Sequence, residues 1–194
     1  ASLIVGGLGV VGMLMCCGFI GWAFMTFMPK PTIVPAEVTQ IATGILDTKL
    51  LEDFVPVEAA SGDNMLFMLR TAEFKHKDGK GGLVMGKVKF KFGDPAQGTS
   101  PSQDFRTKIE LKMRGSLDVK KSESHDVLMG GHKVSVLISD ATDRDTRQEV
   151  HVASGDFELP SGTTFFLLRL DDDIWDQDAV LKLLEESRLP DAEK

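Results

Sequence analysis

Cysteine occurs only twice in 194 residues, as the neighbours Cys16 and Cys17, tyrosine is absent, and aromatic residues make up 7%. Beyond Cys17 the chain offers no thiol for a disulfide, a Cys-X-X-Cys redox pair or a Cys-ligated zinc site. Histidines are equally scarce. His76, His125, His132 and His151 stand at neither the i, i+4 nor the His-Glu-X-X-His spacing that a helical metal site needs. No Gly-X-Ser-X-Gly nucleophile motif is present. The glycines of HKDGKGG lead into a second apolar run and lack the Gly-Lys-Ser/Thr ending of a phosphate loop. A surplus of positive charge is also missing: the net charge is −7, which disfavours nucleic acid as a partner because phosphate neutralisation requires a basic surface. These absences point to a chain with no catalytic residues, metal or cofactor.

Charge itself is missing from one long stretch. Between Leu3 and Met28 there is no Asp, Glu, Lys, Arg or His. As a helix this run would extend roughly 39 Å, more than a hydrocarbon core of ~30 Å demands. A transmembrane helix over residues 1–28 is therefore expected. The run is too long for the core of a secretory signal, and Met15 before Cys16 departs from the small residue that lipid attachment requires. Gly9, Gly12, Cys16 and Gly21 supply small residues at spacings that let helix backbones approach, as in Gly12-X-X-X-Cys16 and Cys17-X-X-X-Gly21. The partners expected are thus the lipid bilayer and other membrane-protein subunits. Lys30 is the nearest cation, and taken alone it points to a cytoplasmic domain. Single-span chains with their bulk after the anchor commonly export it, so an extracytoplasmic domain is expected over a cytoplasmic one.

Beyond Met28 the chain is of mixed character. Pro29, Pro31 and Pro35 make residues 29–35 a stiff tether, residues 36–190 one domain, and residues 191–194 a polar tail. Pro35 suits the first position of a short helix over AEVTQIATGI. ILDTKLL reads as a first strand and DFVPVEA as a turn limited by Pro56. NMLFMLRTAEFKH and GLVMGKVKFKF are alternating apolar runs joined by KDGKGG, a hairpin signature. In the second arm Lys87, Lys89 and Lys91 alternate with Val88, Phe90 and Phe92, which predicts a wet lysine face able to meet lipid headgroups or a partner.

Residues 101–117 fit two patterns. Phe105, Ile109, Met113 and Leu117 recur every four residues, while Phe105, Ile109, Leu111 and Met113 also alternate with charged residues; the Ser100-Pro101 start favours a helix. Further short strands are expected from SHDVLMGG, HKVSVLISD, QEVHVASG and DFELPSGTTFFLLRL, and a last helix begins after Asp176 as N-cap. Asp140, Asp143, Asp145 and Glu149 lack the spacing and glycine of a calcium loop and read as a polar turn. Asp171, Asp172, Asp173, Asp176 and Asp178 sit where carboxylates favour a helix start.

The expected fold class is α+β: a single N-terminal transmembrane helix, then an antiparallel sheet with about two or three helices packed on one face. The expected function is a non-enzymatic, single-pass membrane-anchored binding or scaffolding module, an accessory subunit of a membrane protein assembly. The alternative is a membrane-tethered extracytoplasmic sensor or solute-binding domain with an apolar pocket between sheet and helices. An enzyme, built on His132 or His151 converging with a carboxylate, ranks third.

Overall fold

The computed structural model of this chain describes residues 29–63, 65, 67–91, 117–159 and 161–190. β-Structure dominates them. Strands β1 (Lys30–Thr32), β2 (Phe54–Asp63), β3 (Phe67–His76), β4 (Gly81–Phe90), β5 (Leu117–Met129), β6 (His132–Asp143), β7 (Glu149–Leu159) and β8 (Gly162–Asp171) form one eight-stranded sheet. Its order is β1-β2-β3-β4-β8-β7-β6-β5, and every neighbouring pair is antiparallel. The described helices are two of nine residues, α1 (Pro35–Thr43) and α2 (Gln177–Glu185), with short 3-10 turns at Lys49–Asp53 and Asp172–Ile174.

This corrects the expected class of a membrane helix joined to a domain shared between sheet and helices. The described part is a mostly antiparallel sheet with two short helices, and no helix among the described residues is long and apolar enough to cross a membrane. Residues 1–28, to which that helix was assigned, lie outside the described residues, as do 101–116 of the ambiguous segment. The local corrections have physical reasons. ILDTKLL does not form a strand, because the Thr48 hydroxyl accepts from Leu50 N–H and caps a 3-10 turn. DFVPVEA does, because the register shifts between Pro56 and Glu58, and a bulge accommodates a residue that cannot donate to the ladder. Part of the proline tether is itself a strand: Lys30, Pro31 and Thr32 pair with Ser61, Ala60 and Ala59.

Other local signals give the structure they imply. Residues 77–80 turn β3 into β4, with Gly79 at φ 75° where a Cβ would be strained. Pro35 begins α1, and the Asp176 carboxylate caps α2 by accepting from Ala179 N–H at 3.0 Å. Both helices are amphipathic. Val38 and Ala42 of α1, and Val180 and Leu184 of α2, enter the main core with Phe74, Met85, Phe166 and Leu168. A side chain of this size contributes about 1.5–3 kcal/mol when fully buried.

Side chains alternate across a strand, so the second face of the sheet has its own residues. There Leu117, Ala141, Val150, Val152 and Leu167 make a smaller buried cluster. The consecutive rings of β8 serve both faces. Phe165 lies over Gly86 of β4, where a Cβ would stand 2.2 Å from its ring, and Phe166 lies over Gly155 of β7, at 2.8 Å. Each glycine leaves the space that a neighbouring aromatic ring fills.

Candidate functional site

An eight-stranded open sheet has two edges, and the two differ. At one edge β5 carries Lys120, Lys121, Glu123 and Asp126, with ion pairs from Lys120 to Glu149 at 2.5 Å and from Lys133 to Asp126 at 2.8 Å. Charge of this kind guards an edge against further strands. At the other edge β1 is three residues long and pairs only with residues 59–61 of β2. The Phe54–Glu58 half of β2 therefore has no described strand on its outer side.

Apolar side chains gather at that open half. Ile33 is 77% exposed, Val34 50%, Val55 49% and Val57 41%, four of the seven large exposed hydrophobic residues among those described. Continuing the β1–β2 register past Thr32 and Ala59 brings Ile33 and Val34 level with Glu58 and Val57. Single exposed hydrophobics need no explanation, but several beside a strand half that no described strand covers mark a candidate interaction surface. The described chain enters at Pro29, immediately before this patch.

The residues singled out from sequence fall elsewhere. Gly9, Gly12, Cys16 and Gly21 lie outside the described residues. Lys87 is 1% exposed, on the same face of β4 as Leu83 and Met85, and so cannot present its ammonium to lipid headgroups. Lys89 and Lys91 are exposed, and Lys91 is ion-paired with Asp63. A uniform lysine face is thus absent from β4: it is a central strand with both faces buried over most of its length.

His151 meets two carboxylates, whereas His125 Nε2 lies 3.8 Å from the single carboxylate of Glu123. β7 places His151 opposite Asp140 of β6, and its Nδ1 lies 2.8 Å from Asp140 Oδ1. Its Nε2 lies 2.9 Å from Asp172 Oδ1 in the 3-10 turn after β8. The ring stacks on Trp175, with centroids 5.0 Å apart and planes inclined by 10°. Both ring nitrogens thus face carboxylates. A general base needs a free nitrogen within reach of the proton it takes, so the cluster as built is a clasp between β6, β7 and the turn leading to α2. His132 is exposed and does not join it. Among the described residues no group of three His, Cys, Asp or Glu side chains is arranged to hold a metal ion.

The expected polar turn after β6 contains a second, more buried network. Asp143 is 4% exposed, and its Oδ1 accepts from Asp145 N–H at 2.8 Å and Thr146 N–H at 3.1 Å. Its Oδ2 accepts from Arg169 Nη2 at 2.5 Å. The Thr146 N–H bond holds the Asp143 carboxyl below its ordinary range; burial opposes this, while the Asp145 N–H and the Arg169 guanidinium reinforce it. The Asp-rich segment before α2 also makes contacts besides caps, for Asp173 is ion-paired with Lys80.

No protein-family model matches the chain, and no curated protein matches it significantly. The candidate site therefore stands on geometry alone. A cleft of about 450 Å³ lies between the start of the first 3-10 turn and the end of α2. Asp47, Thr48, Lys49, Glu186 and Arg188 line it, and the Lys49–Glu186 ion pair at 2.9 Å crosses it. All five of these lining residues are polar or charged. The arrangement with the clearest chemical capacity is the open β2 edge with Ile33, Val34, Val55 and Val57. It can accept an apolar, extended segment through backbone hydrogen bonds and side-chain burial.

Proposed function

We propose that this protein is a non-enzymatic, membrane-anchored binding module that works as an accessory subunit of a membrane protein assembly. The observation that carries the reading is the apolar patch of Ile33, Val34, Val55 and Val57 at an open sheet edge, beside the point where the uncharged stretch Leu3–Met28 joins the domain. A partner subunit lying at the membrane surface would meet this edge first. The occupied nitrogens of His151 support a binding role over a hydrolytic one. The domain is placed on the extracytoplasmic side, where chain bulk following an anchor is commonly found.

The experiment is extraction of the full chain from native membranes in mild detergent, followed by sizing. The wild-type chain is expected to elute with a second membrane protein in fixed ratio. Val55→Asp together with Val57→Asp should release that partner while the chain stays in the membrane fraction. An isolated monomer that co-elutes with nothing removes the accessory-subunit reading.

A further inference from the structure

We infer that the partner segment seated on the open half of β2 is extended, apolar and cationic at both ends, and that it donates hydrogen bonds to an edge that offers acceptors alone. The inference rests on the accessory-subunit reading and adds the chemistry that such a subunit must present.

Backbone direction sets the hydrogen bonds. Lys77 N–H donates to Asp53 C=O at 3.0 Å, and these two residues stand opposite each other when the Phe54–His76 register is continued by one step. The backbone groups of Asp53 therefore face β3. Direction alternates along a strand, so those of Val55 face β3 as well, while those of Phe54 and Pro56 face outward. Phe54 N–H turns back to Leu51 C=O, where it closes the 3-10 turn, and Pro56 has no N–H. What the open half directs outward is thus two carbonyls, roughly 7 Å apart. A full antiparallel ladder requires donors and acceptors from both strands. Here an added segment meets acceptors, which its own N–H groups at two alternate, non-proline positions can satisfy.

Charge points the same way. Glu52 and Asp53 precede Phe54, and Glu58 follows Val57. Glu37 lies beside Thr32, whose hydroxyl donates to Glu37 Oε2 at 2.5 Å. All four carboxylates are exposed, and no described Lys or Arg forms an ion pair with any of them. The nearby cations on the neighbouring strand and its turn are Lys75, opposite Val55, and Lys77, whose ammonium donates to the Glu52 carbonyl. The surplus at this edge is negative. At the β5 edge, by contrast, lysines and carboxylates pair with each other, as in Lys120–Glu149 and Lys133–Asp126.

The two patterns define the occupant. Asp53 and Glu58 bracket the open half at a separation of about 16 Å along the strand, so a matching extended segment carries Lys or Arg about five positions apart. Between those cations its apolar side chains cover Ile33, Val34, Val55 and Val57. Opposite charge steers the encounter and fixes the register. A second copy of this chain would set carboxylates against carboxylates and carbonyls against carbonyls, and an anionic lipid surface would be repelled by the same rim.

The test uses the full chain in native membranes, extracted in mild detergent. Glu52→Lys, Asp53→Lys and Glu58→Lys together should lower the amount of co-eluting partner at least about tenfold with Val55 and Val57 intact. Asp118→Lys, on the far edge strand β5, should leave that amount unchanged. In a second measurement p-benzoylphenylalanine replaces Val57 and every carboxylate is kept. Irradiation should then cross-link a peptide of another membrane protein that carries Lys or Arg on both sides of an apolar run. Full retention of the partner by the folded charge-reversed chain overturns the inference and leaves the accessory-subunit reading standing. A cross-link to a peptide with acidic flanks, to a second copy of this chain or to lipid also overturns it. Should the triple variant fail to fold, the cross-linked peptide decides alone. A wild-type chain that co-elutes with nothing overturns both readings.

Discussion

Replacing Asp143 by Asn keeps the shape of the β6–β7 turn and removes one charge from a nearly closed site. The Asn carbonyl can still accept from Asp145 and Thr146 N–H, so the backbone bonds survive in weakened form. What disappears is the charge assistance to those two donors and the pairing with Arg169, whose side chain remains 24% exposed and can recruit water. Removing one partner of a buried ion pair costs about 3–5 kcal/mol, and the partial exposure of Arg169 places Asp143→Asn below that, at about 2 kcal/mol near pH 7. For a domain of this size the loss corresponds to a fall of roughly 4–8 °C in Tm. Thermal or urea unfolding of both chains measures it.

The pH dependence supplies the sharper check. Asp143 has its folded-state pKa depressed, so its contribution is fully present above the unfolded carboxylate value of about 3.9. It is lost as pH falls from there through the folded value. The stability gap between wild type and Asp143→Asn should therefore be constant from pH 7 to about pH 5 and shrink below pH 4. A variant as stable as wild type at pH 7, or a gap that widens in acid, would refute the reasoning.

Gly155→Ala places a methyl group 2.8 Å from the Phe166 ring; overpacking of this kind costs about 1–3 kcal/mol, measurable by urea unfolding, and an unchanged midpoint would mean the ring moves freely. His151→Gln removes the ring stacked on Trp175; a loss of about 1–2 kcal/mol and a shifted Trp175 emission are expected, and an unaltered spectrum would argue against the clasp.

Local signals were legible because their causes are local. Pro35 needs no N–H at a helix start, Asp176 caps the helix that begins beside it, and the Asp-Gly turn carries a positive φ at Gly79. Pro56 misled because a proline can be carried within a strand at a bulge, which depends on the partner strand. Lys87 misled for a related reason: alternation identifies a wet face only where one face is wet, and on β4 consecutive residues from Leu83 to Val88 are buried on both faces. The His151 cluster joins residues 11 and 21 positions away, through strand pairing and a 3-10 turn that no sequence spacing announces. The apolar edge was equally hidden. Ile33 and Val34 read as part of a tether until β1 is seen paired with Ala59–Ser61, which leads them toward the half of β2 that carries Val55 and Val57.

The central claim is that the open β2 edge holds another subunit at a membrane, and purification of the full chain from native membranes tests it most directly. The account predicts a complex containing a second membrane protein in fixed ratio, lost when Val55 and Val57 become Asp although the chain remains in the membrane fraction. A chain recovered as a monomer from the soluble fraction, or a complex indifferent to both substitutions, would contradict it.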